Sequence, residues 1–341
     1  MTGETTHLDF RNRHPEEIGR LFMELGFPHQ RILNFRKAFR EQDVQDLKDL
    51  KGVQKLEQVL PHLPVRRLRE ERILEDADGS KKFQFRTEDG LLIESVYMPA
   101  AIDSSICISV QAGCRFACSF CKTGMMGFRR NLMPYEMLEQ IRQVYQNTVH
   151  PERLGCVSLM GMGEPFDNLA NCATTFEWIR TGWGWEIGAK KVTFSTSGIG
   201  NWDSFFALDV LPNLAISLHA ATDEKRRLLM PRSRTSLRQI GEQILRYKRK
   251  TNRYVSLVYC LIKDINDSDS DASALIDFAG DLPCKVNLLH FNDVGVSGYA
   301  PVDASVFEQF RKQLRAGGIS VLHRKSLGTS IGAGCGQLGA V

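Results

Sequence analysis

No stretch of the sequence approaches the roughly 18 to 20 consecutive apolar residues of a membrane-spanning helix, so a chain built on such helices is excluded at the outset. Internal repeats and low-complexity segments are also missing, which removes solenoid and collagen-like architectures. The first ten residues carry acidic and polar groups where a secretory signal has a basic and then an apolar stretch. A cytoplasmic location with no membrane partner is therefore expected. What is present is ordinary for a globular protein: 43% hydrophobic and 25% charged residues, with a mean hydropathy of −0.24. Its 341 residues suffice for one large domain plus a small one.

The nine cysteines are Cys107, Cys114, Cys118, Cys121, Cys156, Cys172, Cys260, Cys284 and Cys335. An odd number in a chain without an export signal argues against a disulfide framework and for metal or redox chemistry. Three of them fall within eight residues.

Up to about residue 75 the apolar residues recur at helical spacing, as in Leu21, Phe22 and Leu25 or Ile32, Phe35 and Phe39, so residues 1–75 are predicted to form a small helical domain. Residues 76–99 change to a period of two around a turn at Glu88 to Gly90, which predicts a linking β-hairpin. From about 100 to 341, apolar runs at 106–110, 154–160, 192–195, 214–218, 255–262, 286–291 and 319–322 alternate with helical candidates around 134–147, 168–180, 235–250, 271–280 and 303–315. Such alternation implies parallel strands with crossover helices, hence an α/β fold with an open sheet or a partial, open β/α barrel. Ligand chemistry in those folds sits at the carboxyl ends of the strands. Between Lys225 and Arg253 there are eleven Lys or Arg and one acid, Glu242. Such a run reads either as a solvated helix face or as a phosphate-binding surface.

Cys114, Cys118 and Cys121 are spaced C-x3-C-x2-C directly after the strand at 106–110. Three thiolates so spaced can hold three irons of a 4Fe-4S cube and leave the fourth iron open to a substrate. A structural zinc site would call for a fourth protein ligand, and Cys107, the nearest candidate, lies seven residues back across the strand. The string GMGEP, from Gly161 to Pro165, follows a second strand. Its glycines let backbone approach a ligand, and its carboxylate can pair with an ammonium, although alone it reads as a tight turn. STSG from Ser195 and SLH from Ser217 end two more strands, as caps or as a polar rim. Cys335 stands between glycines in a C-terminal CGQL, a composition that suggests a mobile loop exposing its thiol.

The cysteine triplet, with Phe120 before its last member, resembles the signature of the radical S-adenosylmethionine (SAM) superfamily. Cys107, the triplet, Thr123-Gly124, the run from Gly127 to Leu132, GMGEP, STSG, SLH and CGQL together resemble, in order, the RlmN/Cfr family of radical SAM RNA-adenosine methyltransferases. That resemblance implies a radical SAM barrel and a 4Fe-4S cluster on Cys114, Cys118 and Cys121. It implies SAM contacts from Gly163, Glu164, Ser195, Ser217, Leu218, His219 and Asn292, a methyl-carrying Cys335, and Cys107 as the cysteine that later forms a disulfide with it. Glu94 matches the proton acceptor. The implied partners are 23S ribosomal RNA, with transfer RNA as a further substrate, and an electron donor such as flavodoxin or ferredoxin. The run from Gly127 to Leu132 is nearer RlmN than Cfr, which favours carbon 2 of adenosine over carbon 8. Residues 327–334 lack the acidic pair usual in the family before the terminal cysteine, which suggests a looser loop. A radical SAM enzyme acting on a non-RNA substrate, an RNA-binding iron-sulfur sensor and a zinc store are the rival readings.

Overall fold

Strands covered on both faces read as continuous Val, Ile and Leu runs, and their crossover helices bury a single stripe. The structure, a computed structural model, describes residues 9–41, 65–149, 154–295, 298–323 and 326–339. Helices α1 (Pro15–Glu24) and α2 (His29–Glu41) come first, then a meander of β1 (Arg69–Glu75), β2 (Lys81–Arg86) and β3 (Leu92–Met98). β4 (Ser105–Cys107) precedes a two-stranded ribbon, β5 (Gln111–Gly113) with β6 (Phe128–Asn131), whose ends bracket the short helix α3 (Lys122–Met125). There follow α4 (Pro134–Thr148), β7 (Cys156–Leu159), α5 (Leu169–Arg180), β8 (Val192–Thr196), α6 (Trp202–Phe206) and β9 (Asn213–Ser217). The chain ends with α7 (Asp223–Leu229), α8 (Leu237–Thr251), β10 (Val255–Leu261), α9 (Asp269–Ala279), β11 (Cys284–His290), α10 (Ala304–Ala316) and β12 (Val321–His323).

Ten strands form one sheet in the order β1-β2-β3-β4-β7-β8-β9-β10-β11-β12. Its neighbours are antiparallel up to β4 and parallel from there to β12. β1 and β12 are its edges, so the expected open β/α barrel is what forms. The two faces are distinct. On β10, Leu257, Tyr259 and Leu261 join the main core with Ile240, Ile244 and Tyr247 of α8, while Val258 and Cys260 point the other way into small separate clusters. Period-two alternation therefore gives the outer face to the helices and the inner face to the site.

The N-terminal helices pack together and dock on the turn after α5 through tilted aromatic rings, Phe22 against Phe35 and Trp183. Beside them the buried Arg11 pairs with Asp9 at 2.7 Å and with Glu139 at 2.6 Å. The helical domain expected to residue 75 is corrected at its end: Arg69–Glu75 is a strand. Its side chains are almost all exposed, so no alternation marked it; it is an edge strand held by backbone pairing to β2. The predicted hairpin is real, but it extends the barrel sheet itself. The part of the helical reading at 42–64 lies outside the described residues. No helix among the described residues is long and apolar enough to cross a membrane.

Candidate active site

The loop between β5 and β6 carries all three clustered cysteines. Its base is closed by Cys114 N donating to Gly127 O at 3.1 Å, and its far side is fixed by Ser119 N donating to Leu229 O at 2.9 Å. Ala117 adopts a left-handed backbone, φ 49°, at the tightest part of the turn. Gly124 lies so close beneath that an added Cβ would stand 2.9 Å from Cys118 N. The loop is thus wound tightly enough to aim three sulfurs into one space. Burial pushes the Cys114 thiol up to about 12, with a further rise from the neighbouring Cys121. Burial, then Cys121 and Cys114, push Cys118 up as well. Three half-buried thiols that would repel one another as anions are a donor set suited to bound cations. Among the described residues no His, Cys, Asp or Glu side chains converge on one point as a single-ion site requires. A cube spreads its three thiolates over three irons and does not need such convergence. The donor set fits a 4Fe-4S cluster.

The expected rim stands at the strand ends beside this loop. Gly163, at φ 101°, packs against Gln111, whose backbone N would lie 2.8 Å from an added Cβ; only glycine fits. Glu164 is buried, and burial raises its carboxyl to about 7. Its Oε2 accepts from Ser197 N at 2.9 Å and Ser197 Oγ at 3.0 Å, which joins the GMGEP turn to the STSG turn. Strand register places Ser195 beside Ala215, and Ser217 two residues further along β9 beside Val258. Both hydroxyls therefore share the inner face with Ala215 and Val258. Leu218 is part of the buried core, its N donating to Val258 O at 2.9 Å and its O accepting from Arg226 Nη1 at 2.7 Å. His219 has a left-handed backbone, φ 56°, and its Nδ1 accepts from Cys260 N at 3.1 Å. Burial, reinforced by the cation of Arg226, lowers its pKa to about 3, so the ring is neutral and carries its proton on Nε2.

The third group of residues meets across the hairpin. Cys107 pairs laterally with Val96 on β3 and Ser158 on β7. Glu94, two residues before Val96, shares that inner face. It is buried, and its Oε1 accepts from Gln84 Nε2 at 2.8 Å and lies 3.4 Å from Lys82 Nζ. The C-terminal segment crosses this ground. Asn292 Nδ2 donates to Cys335 O at 3.0 Å, Lys122 N to Gly336 O at 2.8 Å, and Gly339 N to Glu94 Oε2 at 2.7 Å. One short peptide therefore touches the cysteine loop, the end of β11 and Glu94. Cys335 is exposed, as expected of a working thiol. The looser loop suggested by residues 327–334 is not found. Gly328 N donates to Asp78 Oδ2 at 2.9 Å, Ser330 Oγ to Asp76 Oδ2 at 2.7 Å, and Lys82 Nζ to Gly332 O at 3.2 Å. The anchoring acids come from the β1–β2 turn. The implied Cys107–Cys335 disulfide is also absent: no disulfide joins the two cysteines in this structure.

The basic run is largely engaged with the protein. Lys225 pairs with Asp271 at 2.7 Å, Arg238 with Glu242 at 3.3 Å, and Arg246 with Asp203 at 2.6 Å. Arg253 donates to Leu211 O at 2.6 Å. Arg227, Arg232 and Arg234 stay exposed, and Arg232 Nη1 donates to Arg115 O of the cysteine loop at 2.9 Å. In the N-terminal helices Arg36 lies over the Trp183 ring at 4.3 Å, and the side chain of Arg40 lies outside the described residues. Lys82, Asn266 and Arg226 escaped the sequence reading. Asn266 ties His219 O to Cys260 O with bonds of 2.7 and 2.8 Å, which holds the SLH turn in its left-handed conformation.

An open β/α barrel with three loop cysteines and a polar rim at its strand ends defines a radical SAM enzyme, and the Radical SAM superfamily model matches residues 108–276. A probable dual-specificity RNA methyltransferase RlmN from Cytophaga hutchinsonii is 37% identical over 265 residues, 76% of this chain and 73% of its own. A dual-specificity RNA methyltransferase RlmN from Desulfotalea psychrophila is 33% identical over 358 residues, 99% of this chain and 96% of its own. The crystal structure of a radical SAM methyltransferase from Sphaerobacter thermophilus superimposes with a TM-score of 0.89 at 32% identity, covering 97% of this chain and 99% of that one. The chain belongs to the RlmN/Cfr family of radical SAM methyltransferases.

Proposed function

We propose that the protein methylates carbon 2 of an adenosine in 23S ribosomal RNA, and of transfer RNA as a second substrate, by way of a methyl group carried on Cys335. The single observation that supports this reading most is the C-terminal peptide, which runs from Cys335 at Asn292 past Lys122, just after the cysteine triplet, to Gly339 at Glu94. A ring carbon between two nitrogens is electron-poor and does not attack an electrophilic methyl group as an amine does. Cluster and SAM, when bound, would supply the methyl group and the one-electron chemistry that activates it. Cys114, Cys118 and Cys121 would hold the cluster. Gly163, Glu164, Ser195, Ser217, Leu218, His219 and Asn292 would hold SAM.

The chain's own groups do the rest. Cys335 sulfur takes up the methyl and presents its carbon to the base. Glu94, on the same inner face, accepts the proton lost from the ring carbon once Gly339 has moved off its Oε2. Cys107 sulfur then attacks Cys335 sulfur. That bond forms as the bond from sulfur to the base-bound carbon breaks; the released carbon keeps the electron pair and takes up a proton to complete the methyl group, leaving a disulfide that a dithiol reductant reopens. A flavodoxin or ferredoxin would be the electron donor. Arg227, Arg232 and Arg234 offer cations to RNA phosphates while the base is splayed into the barrel.

The test is mass spectrometry of nucleosides from a strain lacking the gene, with and without the restored protein. The expected result is loss and return of 2-methyladenosine in 23S ribosomal RNA. Return of 8-methyladenosine alone, or no change, overturns the reading.

A pH dependence follows from Glu164. Its carboxyl titrates at about 7 before ligand binds, and the ammonium of SAM favours the charged form. Binding below that pH must first expel a proton, so affinity is full above 7 and falls about tenfold per pH unit beneath it. Calorimetric titration with SAM from pH 7.5 to 5.5 should show this slope, and Glu164→Gln should flatten it at low affinity.

A further inference from the structure

Of the eleven cations between Lys225 and Arg253, Arg226 alone is buried, with 2% of its surface exposed. Its guanidinium ends in backbone carbonyls. Nη1 donates to Ser217 O at 3.1 Å and Leu218 O at 2.7 Å, and Nη2 donates to Ser197 O at 3.0 Å. These oxygens belong to the turns after β8 and β9, the STSG and SLH ends of the rim. One side chain from α7 thus staples together the turns that follow two strands, just beyond the last β8–β9 ladder pair, Thr196 with Ile216. The second feature is its charge. Among the described residues no carboxylate forms an ion pair with it, and Asp223, the acid nearest in effect, is spent on capping α8 through Leu237 N at 2.8 Å. Its other electrostatic neighbour is Cys118, and the helix that carries it also receives Ser119 N of the cysteine loop on Leu229 O.

Carbonyl oxygens satisfy the N–H groups of a buried guanidinium but do not neutralise it; Asp223 offsets its charge without forming an ion pair with it, and a buried charge so weakly compensated is costly. The expense is explained if a further anion arrives with the cluster. We infer that Arg226 is a positioning residue that sets the two SAM-binding strand ends and serves as the counter-cation of the iron-sulfur site on the Cys118 side. The inference rests on reading Cys118 as a cluster ligand. A fixed cation beside the cluster favours its reduced state, which carries one more negative charge, and so raises its midpoint potential. The staple acts separately, on SAM. Outer-shell partners of this kind are worth roughly ten- to hundredfold in affinity.

The experiment compares wild type, Arg226→Lys and Arg226→Gln as full-length proteins reconstituted with iron and sulfide without oxygen. It reads iron content, SAM dissociation constant by calorimetry and midpoint potential by a redox titration followed by electron paramagnetic resonance. Arg226→Lys keeps the charge but cannot reach both turns; it should keep the wild-type potential while SAM binds about tenfold more weakly. Arg226→Gln should weaken SAM binding and also shift the midpoint to lower potential. An Arg226→Lys protein with wild-type SAM affinity overturns the staple. Arg226→Gln, or Arg226→Met if only that variant is soluble, with full iron and an unshifted midpoint overturns the counter-cation role. A wild-type protein that takes up no iron refutes the cluster assignment instead, and the two failures are distinct.

Discussion

Cys335→Ala should lower RNA methylation by roughly a thousandfold or more, the scale of losing a covalent nucleophile, while iron content and SAM affinity stay at the wild-type level. The separation is expected because Cys335 is exposed. The loop that carries it is held by backbone atoms, through Asn292 to Cys335 O and Lys122 to Gly336 O. Cys107→Ala should fail at a later point. The Cys335 methyl group can still join the base, but no sulfur is left to attack Cys335, so protein and RNA should remain covalently linked. A denaturing gel of Cys107→Ala protein with labelled RNA would show a band of the sum of the two masses, and the double variant would not. Turnover by Cys335→Ala would remove the thiol from the mechanism.

The second large effect belongs to the cysteine loop. Cys118→Ala should abolish iron binding, the brown colour and all methylation, yet leave the melting temperature within a few degrees of the iron-free wild type. The loop's own hydrogen bonds, Cys114 N to Gly127 O and Ser119 N to Leu229 O, use no thiol. The three sulfurs also gain little by burial unless cations bind them, since burial and mutual repulsion push their pKa values upward. Zinc at full occupancy in anaerobically purified wild type, with no iron, would contradict the cluster.

Much of this was legible in the chain because burial leaves a period behind. Strands such as Val255–Leu261 and Cys284–His290 announce themselves as apolar runs, and α4, α5, α8, α9 and α10 fall on the expected stretches. Apolar runs report burial rather than pairing, however. Of the run at 106–110 only Ile106 and Cys107 lie in the strand ladder; Ile108 and Val110 stay in the main core on backbone bonds to Ser158 O and Met162 O. Arg69–Glu75 was invisible for the opposite reason, being paired without being buried.

The site divides in the same way. Residues whose type is dictated by their chemistry, the cysteines and the GMGEP and SLH turns, could be read directly. Residues that act through position could not. Lys82 is one lysine of two at the start of β2, and only the fold shows it reaching both Glu94 and Gly332 O. Arg226 was hidden inside a run whose charges looked equivalent, although ten of them are at the surface or half-buried and it is not. Counting charges gives a field; it does not say which charge has a partner. The acids that fix the terminal loop, Asp76 and Asp78, are about 250 residues away in sequence from the segment they anchor, so local inspection of 327–334 suggested slack where the fold supplies none.

The most direct measurement is the mass of the peptide containing Cys335, taken from protein purified without oxygen from cells that supply iron and SAM. A shift of one methyl group on Cys335, absent when Cys118 is replaced by alanine in the same cells, is the result expected. An unmodified Cys335 in protein whose iron centre is intact would contradict the account.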